Sequence, residues 1–202
     1  DTSTNALTLR TEGAPGAVIT AVIANDEETI TATTAFNGAN QATTITTLTA
    51  GDLRTLNIQG GAAYAITALA AAAISTINAS GSTGAVTINT QASAVNPLTV
   101  TAGTGGLTFS SGTAADTITG NVGNDNIWGW TGADTINVGA GTDTLRYSAD
   151  QGGAGNLDTA LYVVPVANSI STVGMDVVTG IGSGDIINLN FTALAGAAGG
   201  YT

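Results

Sequence analysis

Written in nines, residues Ser111 to Arg146 read SGTAADTIT, GNVGNDNIW, GWTGADTIN, VGAGTDTLR. Asp fills the sixth place of every nine (Asp116, Asp125, Asp134, Asp143), and an aliphatic residue fills the eighth (Ile118, Ile127, Ile136, Leu145). Glycines crowd the first four places. Low complexity accounts for abundant Gly and Thr, but not for Asp and an aliphatic residue held in phase through four consecutive units. A fixed period marks a stacked repeat, in which each unit buries its apolar face against its neighbours. The glycines fit tight turns, which demand positive φ and close backbone approach. The aliphatic place fits a short strand with its side chain pointing inward. The preceding nine, AGTGGLTFS from Ala102, keeps Gly103 and Gly105 but carries Leu107 in place of Asp. Two more units, STVGMDVVT (Asp176, Val178) and GIGSGDIIN (Asp185, Ile187), follow an insertion. Taken singly, each Asp is also a plain turn former through Asx bonding.

These units resemble the calcium-binding nonapeptide repeats of the RTX family, closely over 111–146 and more loosely over 102–110 and 171–188. The resemblance implies an all-β chain folded as a right-handed parallel β-solenoid, the RTX β-roll, with two nonapeptides to a coil. Turns on one edge then lie two repeats apart, so Asp116 is expected over Asp134 and Asp125 over Asp143. Stacked carboxylates repel unless a cation lies between them, and Ca²⁺ takes six to eight oxygens at about 2.3–2.6 Å. The family pattern implies Ca²⁺ held by these four Asp with turn carbonyls, which puts Gly112, Gly123, Gly132 and Gly141 at the metal. A weaker site would join Asp125 to carbonyls of the 102–110 turn. Asp176 and Asp185 are further metal candidates, in repeats whose Gly180, Gly182 and Gly184 look like the family's C-terminal closure.

Upstream, short β-favouring triplets recur: Leu56-Asn57-Ile58, Thr76-Ile77-Asn78, Val86-Thr87-Ile88, Leu98-Thr99-Val100 and Leu107-Thr108-Phe109. Val100, Phe109 and Ile118 are nine apart, so the coil register runs into the repeats. The phrase TLNIQGGAAYAITALAAAAISTINASGSTGAVTINTQ is similar to the Ala/Thr-rich solenoids of RTX-type bacterial S-layer proteins. In its middle, Ala70–Ala73 can also form a helical turn. Residues 1–50 read as a small N-terminal β cap, with a buried strand over 16–24 and a hairpin pairing 29–36 with 42–48 across Asn37-Gly38. A cap of this kind covers the open edge of a solenoid; the same segment is the alternative place for polymerisation. The expected organisation is a 1–50 cap, a metal-poor solenoid over 51–110, calcium-binding repeats over 111–146, and an inserted strand with closure over 147–202.

Composition narrows the function. Gly, Thr and Ala make up 99 of 202 residues, and only 8% are charged. Three Arg (Arg10, Arg54, Arg146), no Lys and no His stand against 14 acids, for a net charge of -11. No basic patch exists to neutralise phosphates, so nucleic acid is not an expected partner. The longest apolar stretch, Gly61 to Ile74, is too short for a membrane span. Without His, Cys or Lys, most general bases, nucleophiles and zinc sites are missing. An enzyme is not expected; a carbohydrate-active solenoid would need acids outside the calcium phase, and only Asp150 and Asp158 offer themselves. The acidic triplet Asp26-Glu27-Glu28 is a solvated loop or a calcium ligand at a subunit contact. Trp128 and Trp130 stand at outward places, where they stack on sugar rings or pack against 147–170. Thr-x-Thr triplets can order water or ice on a flat face, but outward residues mixing Thr, Asn, Trp and Arg speak against it.

The expectation is an extracellular structural protein whose main partner is itself, in a calcium-stabilised surface layer or filament, with cell-surface polysaccharide as a further partner. The alternative is the C-terminal calcium module of a larger RTX enzyme or adhesin. The chain opens at Asp1 without a basic-then-apolar leader, which reads as processing, cropping or type I secretion.

Overall fold

The computed structural model describes residues 5–10, 16–36, 39–40, 42–90, 95–130, 134–148, 161–163, 176–179 and 186–190. Apart from a two-stranded ladder, their strands form two sheets, parallel throughout. One contains Ala6–Arg10, Thr29–Thr33, Thr55–Gly60, Thr76–Ser82, Thr99–Thr101, Thr117–Thr119, Thr135–Asn137, Asp176–Thr179 and Leu161–Val163, in that spatial order. The other contains Ala17–Ile23, Thr43–Thr49, Tyr64–Ala70, Val86–Asn89, Leu107–Ser110, Asn126–Trp128, Thr144–Ser148 and Ile186–Asn190. As far as Thr144–Ser148 the chain alternates between them, so each coil gives one strand to each sheet and stacks on the coil before; beyond it, Leu161–Val163 and Asp176–Thr179 share one sheet, with the later strand lying between the earlier one and Thr135–Asn137. This is the parallel β-solenoid expected from the repeats. No helix among the described residues is long and apolar enough to cross a membrane.

The core is two facing ladders. Ile30, Leu56, Ile77, Val100, Ile118 and Ile136 pair in register on the first sheet. Ile45, Ile66, Ile88, Phe109, Ile127 and Leu145 do so on the second. All twelve are buried. Val100 and Ile118 therefore share one sheet while Phe109 lies in the other, as a coil of two nines requires.

The coil narrows along its length. Thr29, Thr55, Thr76 and Thr99 occupy equivalent positions 26, 21 and 23 residues apart, whereas Thr99, Thr117 and Thr135 are 18 apart. Wide coils have longer strands with a second inward row, such as Ala32, Ile58 and Ala79, or Leu48 and Leu69. The 18-residue coils have strands of three to five residues, and among the described residues their second inward row keeps only Ala102 and Val138 as apolar members.

The described strands between residues 6 and 49 differ from the expected cap. They form coils of the same two sheets, since Ala6–Arg10 pairs with Thr29–Thr33 and Ala17–Ile23 with Thr43–Thr49. Ala17–Ile23 is an edge strand, with Val18 67% and Ile23 73% exposed, rather than a buried one. Thr29–Thr33 and Thr43–Thr49 lie in opposite sheets; only Ala35–Phe36 and Ala39–Asn40 form the antiparallel ladder that Asn37-Gly38 suggested. Alternation shows that a segment is a strand but not which strand it pairs with, and stacking on the next coil buries more surface than a local hairpin. Ala72 and Ala73 form a turn, not a helix.

The outer faces of the sheets differ. On the first, register aligns Thr29, Thr55, Thr76, Thr99, Thr117 and Thr135 in one column, and Thr31, Asn57, Asn78, Thr101, Thr119 and Asn137 in the next. Trp128 and Arg146 belong to the second sheet. The mixture of outward residues in the sequence is thus two faces read as one.

Candidate metal centre

The nonapeptide Asp stand one residue before each short strand, at the corner where turn becomes sheet. Register places Leu98, Asp116 and Asp134 in one corner column. On the opposite edge the column runs Tyr64, Val86, Leu107, Asp125, Asp143. All four Asp are buried, at 1–2% exposure. One carboxylate oxygen of each reaches the coil before it. Asp134 Oδ1 accepts the Asp116 N–H at 2.9 Å, and Asp143 Oδ1 accepts the Asp125 N–H at 2.8 Å. Asp116 Oδ1 accepts the Leu98 N–H at 2.8 Å, and Asp125 Oδ1 accepts the Leu107 N–H at 2.6 Å. The expected stacking of Asp116 with Asp134 and of Asp125 with Asp143 is therefore a direct contact, 18 residues apart in sequence.

The second oxygens point into the turns. Ser111 Oγ donates to Asp116 Oδ2. Asp125 Oδ2 is buried with no hydrogen-bond partner. Beside Gly120, Asp125 Oδ2 and the Val138 carbonyl oxygen lie 2.3 and 2.2 Å from the point where a Cβ would stand. Beside Gly129, Asp134 Oδ2 lies 2.4 Å from the equivalent point. Any side chain at these glycines would collide with the carboxylates, so glycine is what allows oxygen atoms to converge there.

Burial of a carboxylate costs several kcal/mol unless a counter-charge accompanies it. Burial pushes the Asp125 carboxyl up to about 7; the Leu107 N–H opposes this rise, and the Asp143 charge adds to it. Asp116 is also raised by burial, against hydrogen bonds from Ser111, Leu98 and Gly112. No three His, Cys, Asp or Glu side chains gather at one point among the described residues. A cation at these corners would therefore be held by one or two carboxylates and by carbonyl oxygens. An orphaned buried oxygen beside a carbonyl, in an all-oxygen setting, fits a hard ion such as calcium and does not suit zinc.

The other expected site residues fall in several places. Gly112 and Gly123 are buried in the turns. Gly141, at φ +148°, abuts Gly123, whose carbonyl oxygen is 2.3 Å from the Cβ position. Asp176 opens a strand and follows Asp134 in the corner column, a stacking that the insertion hides in the sequence. Gly132 and Asp185 lie outside the described residues. In the acidic triplet, Glu28 accepts the Asn5 backbone N–H at 2.6 Å and Asp26 Oδ2 accepts Asn5 Nδ2 at 3.2 Å, which closes the first coil. Sequence reasoning missed Ser111, Gly120 and Gly129 as neighbours of the carboxylates; the signal available was Gly at the first place of the second and third nines.

A family model described as the RTX calcium-binding nonapeptide repeat matches residues 110–145 in four copies. No curated relative and no solved structure matches the chain. RTX nonapeptide repeats bind calcium, and they are typical of secreted proteins.

Proposed function

From the premise that residues 110–145 are RTX calcium-binding repeats, we propose that this chain is a non-catalytic, extracellular structural protein that assembles with copies of itself into a surface layer or filament stabilised by calcium. In this reading Asp116 with Asp134, and Asp125 with Asp143, are the carboxylate ligands, assisted by turn carbonyls. Calcium, when bound, supplies the positive charge that the buried carboxylates lack. The chain's own contribution is to hold those oxygens close through glycine turns and coil-to-coil hydrogen bonds.

The observation that carries self-assembly is the exposed first coil. The edge strand Ala17–Ile23 (AVITAVI) has no charge and no Pro, the usual devices that keep edges from pairing. Val18 and Ile23 are exposed, and Leu7, Leu9, Ile19 and Val22 only partly cover the end of the core. Only 8% of the residues are charged, so few long charged side chains shield the Thr- and Ala-rich faces from contact. Strand addition at a solenoid end is head-to-tail and does not close, so it gives linear growth.

The same edge supports a second reading, in which coils of a longer polypeptide continue the solenoid and this segment is the calcium module of an RTX enzyme or adhesin. Negative-stain microscopy in calcium and in chelator separates the two. Sheets or fibres that form in calcium and disperse with Ile23→Lys support self-assembly. Dispersed particles of the unmutated chain in calcium would reject it in favour of the module.

A further inference from the structure

The second sheet carries a groove of about 320 Å³ on its outer face, distinct from the corner columns. Its floor is a small grid set by register: Thr87, Thr108 and Asn126 along one row, Asn89, Ser110 and Trp128 along the other. Neighbouring coils lie ~4.8 Å apart and alternate residues ~6.7 Å apart, so the grid has the footprint of one or two pyranose rings. Hydroxyls and amides surround the tryptophan, and among the described residues no charged side chain lines the groove. The next register position beyond Trp128 is Arg146.

Two observations show that coil stacking alone does not account for this face. First, Ser110 Oγ is buried at the groove with no hydrogen-bond partner. A buried hydroxyl left unmade is unfavourable, and a turn of the Ser110 side chain toward a ligand hydroxyl would satisfy it. Second, Trp130 has φ +65°. The second place of the nonapeptide is left-handed at Asn121 (φ 76°), at Trp130 and at Gly139 (φ 87°). Asn and Gly adopt that region readily, whereas a bulky aromatic there is an outlier. Strain of this kind persists only where the surroundings enforce it, and it concentrates at functional sites. Its effect here is specific: the Trp130 ring meets the Trp128 ring edge-on, with centroids 4.6 Å apart and planes at 66°. Trp130 thus braces Trp128 at the end of the groove. On the first sheet the places equivalent to Trp128 hold Thr119 and Asn137, so the coil itself does not call for an aromatic residue.

We infer that this groove is a binding site for a neutral oligosaccharide. Trp128 supplies a rigid aromatic surface for the apolar face of a sugar ring. Ser110, Asn89, Asn126 and the threonines supply hydrogen-bonding groups for its hydroxyls. Among the described residues the lining holds no counter-charge for acidic sugars or phosphate. The site goes beyond self-assembly and operates in the monomer as well as in a lattice.

The chain's two tryptophans are Trp128 and Trp130, so emission excited selectively at tryptophan, beyond the absorption of the four tyrosines, reports on this region. The calcium-saturated full chain would be titrated with maltohexaose, cellohexaose, laminarihexaose and chitohexaose, with a galacturonic acid hexamer as the charged comparator. The expected result is a saturable emission shift with at least one neutral series at millimolar concentration or below. By calorimetry, Trp128→Ala is expected to abolish that binding. Ser110→Ala and Trp130→Gly are each expected to weaken it about ten-fold, the scale of one lost anchor contact. Melting curves distinguish this from misfolding, because Trp130→Gly relieves a backbone outlier and should hold or raise the melting temperature. Absence of binding to every neutral series, tighter binding of the charged hexamer, or binding unchanged in Trp128→Ala would each overturn the assignment.

Discussion

Tyr64, Val86 and Leu107 fill the same corner column that Asp125 and Asp143 fill further along the solenoid. Upstream the corner is apolar, and burial itself stabilises it by roughly 1.5–3 kcal/mol for each large side chain. In the nonapeptide coils the corner is anionic, and burial works against the fold until a cation arrives. One backbone geometry therefore serves two chemistries, and the residue before each strand selects between them. The wide coils fill a second inward row on both sheets; among the described residues the narrow coils keep only Ala102 and Val138 as apolar members of it, so they depend more heavily on whatever occupies their corners.

The sharpest way to break this contrast is Leu107→Asp, which carries the anionic corner one coil into the apolar half. Without calcium it is expected to destabilise the chain by about 3–5 kcal/mol, the cost of an uncompensated buried charge. Denaturation in calcium should recover most of that loss; equal destabilisation in both conditions would mean that no site had been extended.

Chelation tests the contrast in the unmutated chain. Each site held at a hundred times its dissociation constant contributes about 2.7 kcal/mol, which chelation removes. Hydrogen exchange should then accelerate at Thr117–Thr119 and Thr135–Asn137 while Leu56–Ile58 and Ile66 stay protected. Uniform acceleration would show that the two halves form one cooperative unit.

pH acts in opposite senses on the two forms. The metal-free folded chain holds a proton on Asp125 up to about 7, whereas the unfolded carboxyl releases it near 3.8. The folded state binds more protons in that window, so metal-free stability falls as pH rises from about 4 to about 7. Calcium needs the ionised carboxylate, so the rise in melting temperature it causes should be greater at pH 8 than at pH 5. An increment independent of pH would remove Asp125 from the site.

The smallest effect is expected at Thr117, on the outer face of the first sheet. Thr117→Val should change stability by no more than about 0.5 kcal/mol in either condition, because it touches neither corner nor core.

The nonapeptide phase made the solenoid and the stacked Asp pairs legible, because Asp at the sixth place and an aliphatic at the eighth leave little freedom in a coil of 18. Three things were not legible. Asp176 lies 42 residues from Asp134, and no ninefold count bridges the insertion. The first two coils lack a fixed period, so Thr29–Thr33 and Thr43–Thr49 looked like partners although they face each other across the core. The outer faces were blurred because the nines alternate between sheets: a period of nine describes the chain, but a face repeats every 18. Only register separated the threonine columns from the groove with Trp128.

The graded corner column also gives the molecule a direction in time. A solenoid folds by adding coils to a formed edge, each new coil resting on the one before. The apolar coils have no ion to wait for and present a finished edge at Leu98 and Leu107, whose N–H groups donate to the first carboxylates. Nucleation is therefore placed at one end, and calcium governs propagation rather than initiation. A calcium jump followed by stopped flow should find Tyr64 already buried and Trp128 still to arrive.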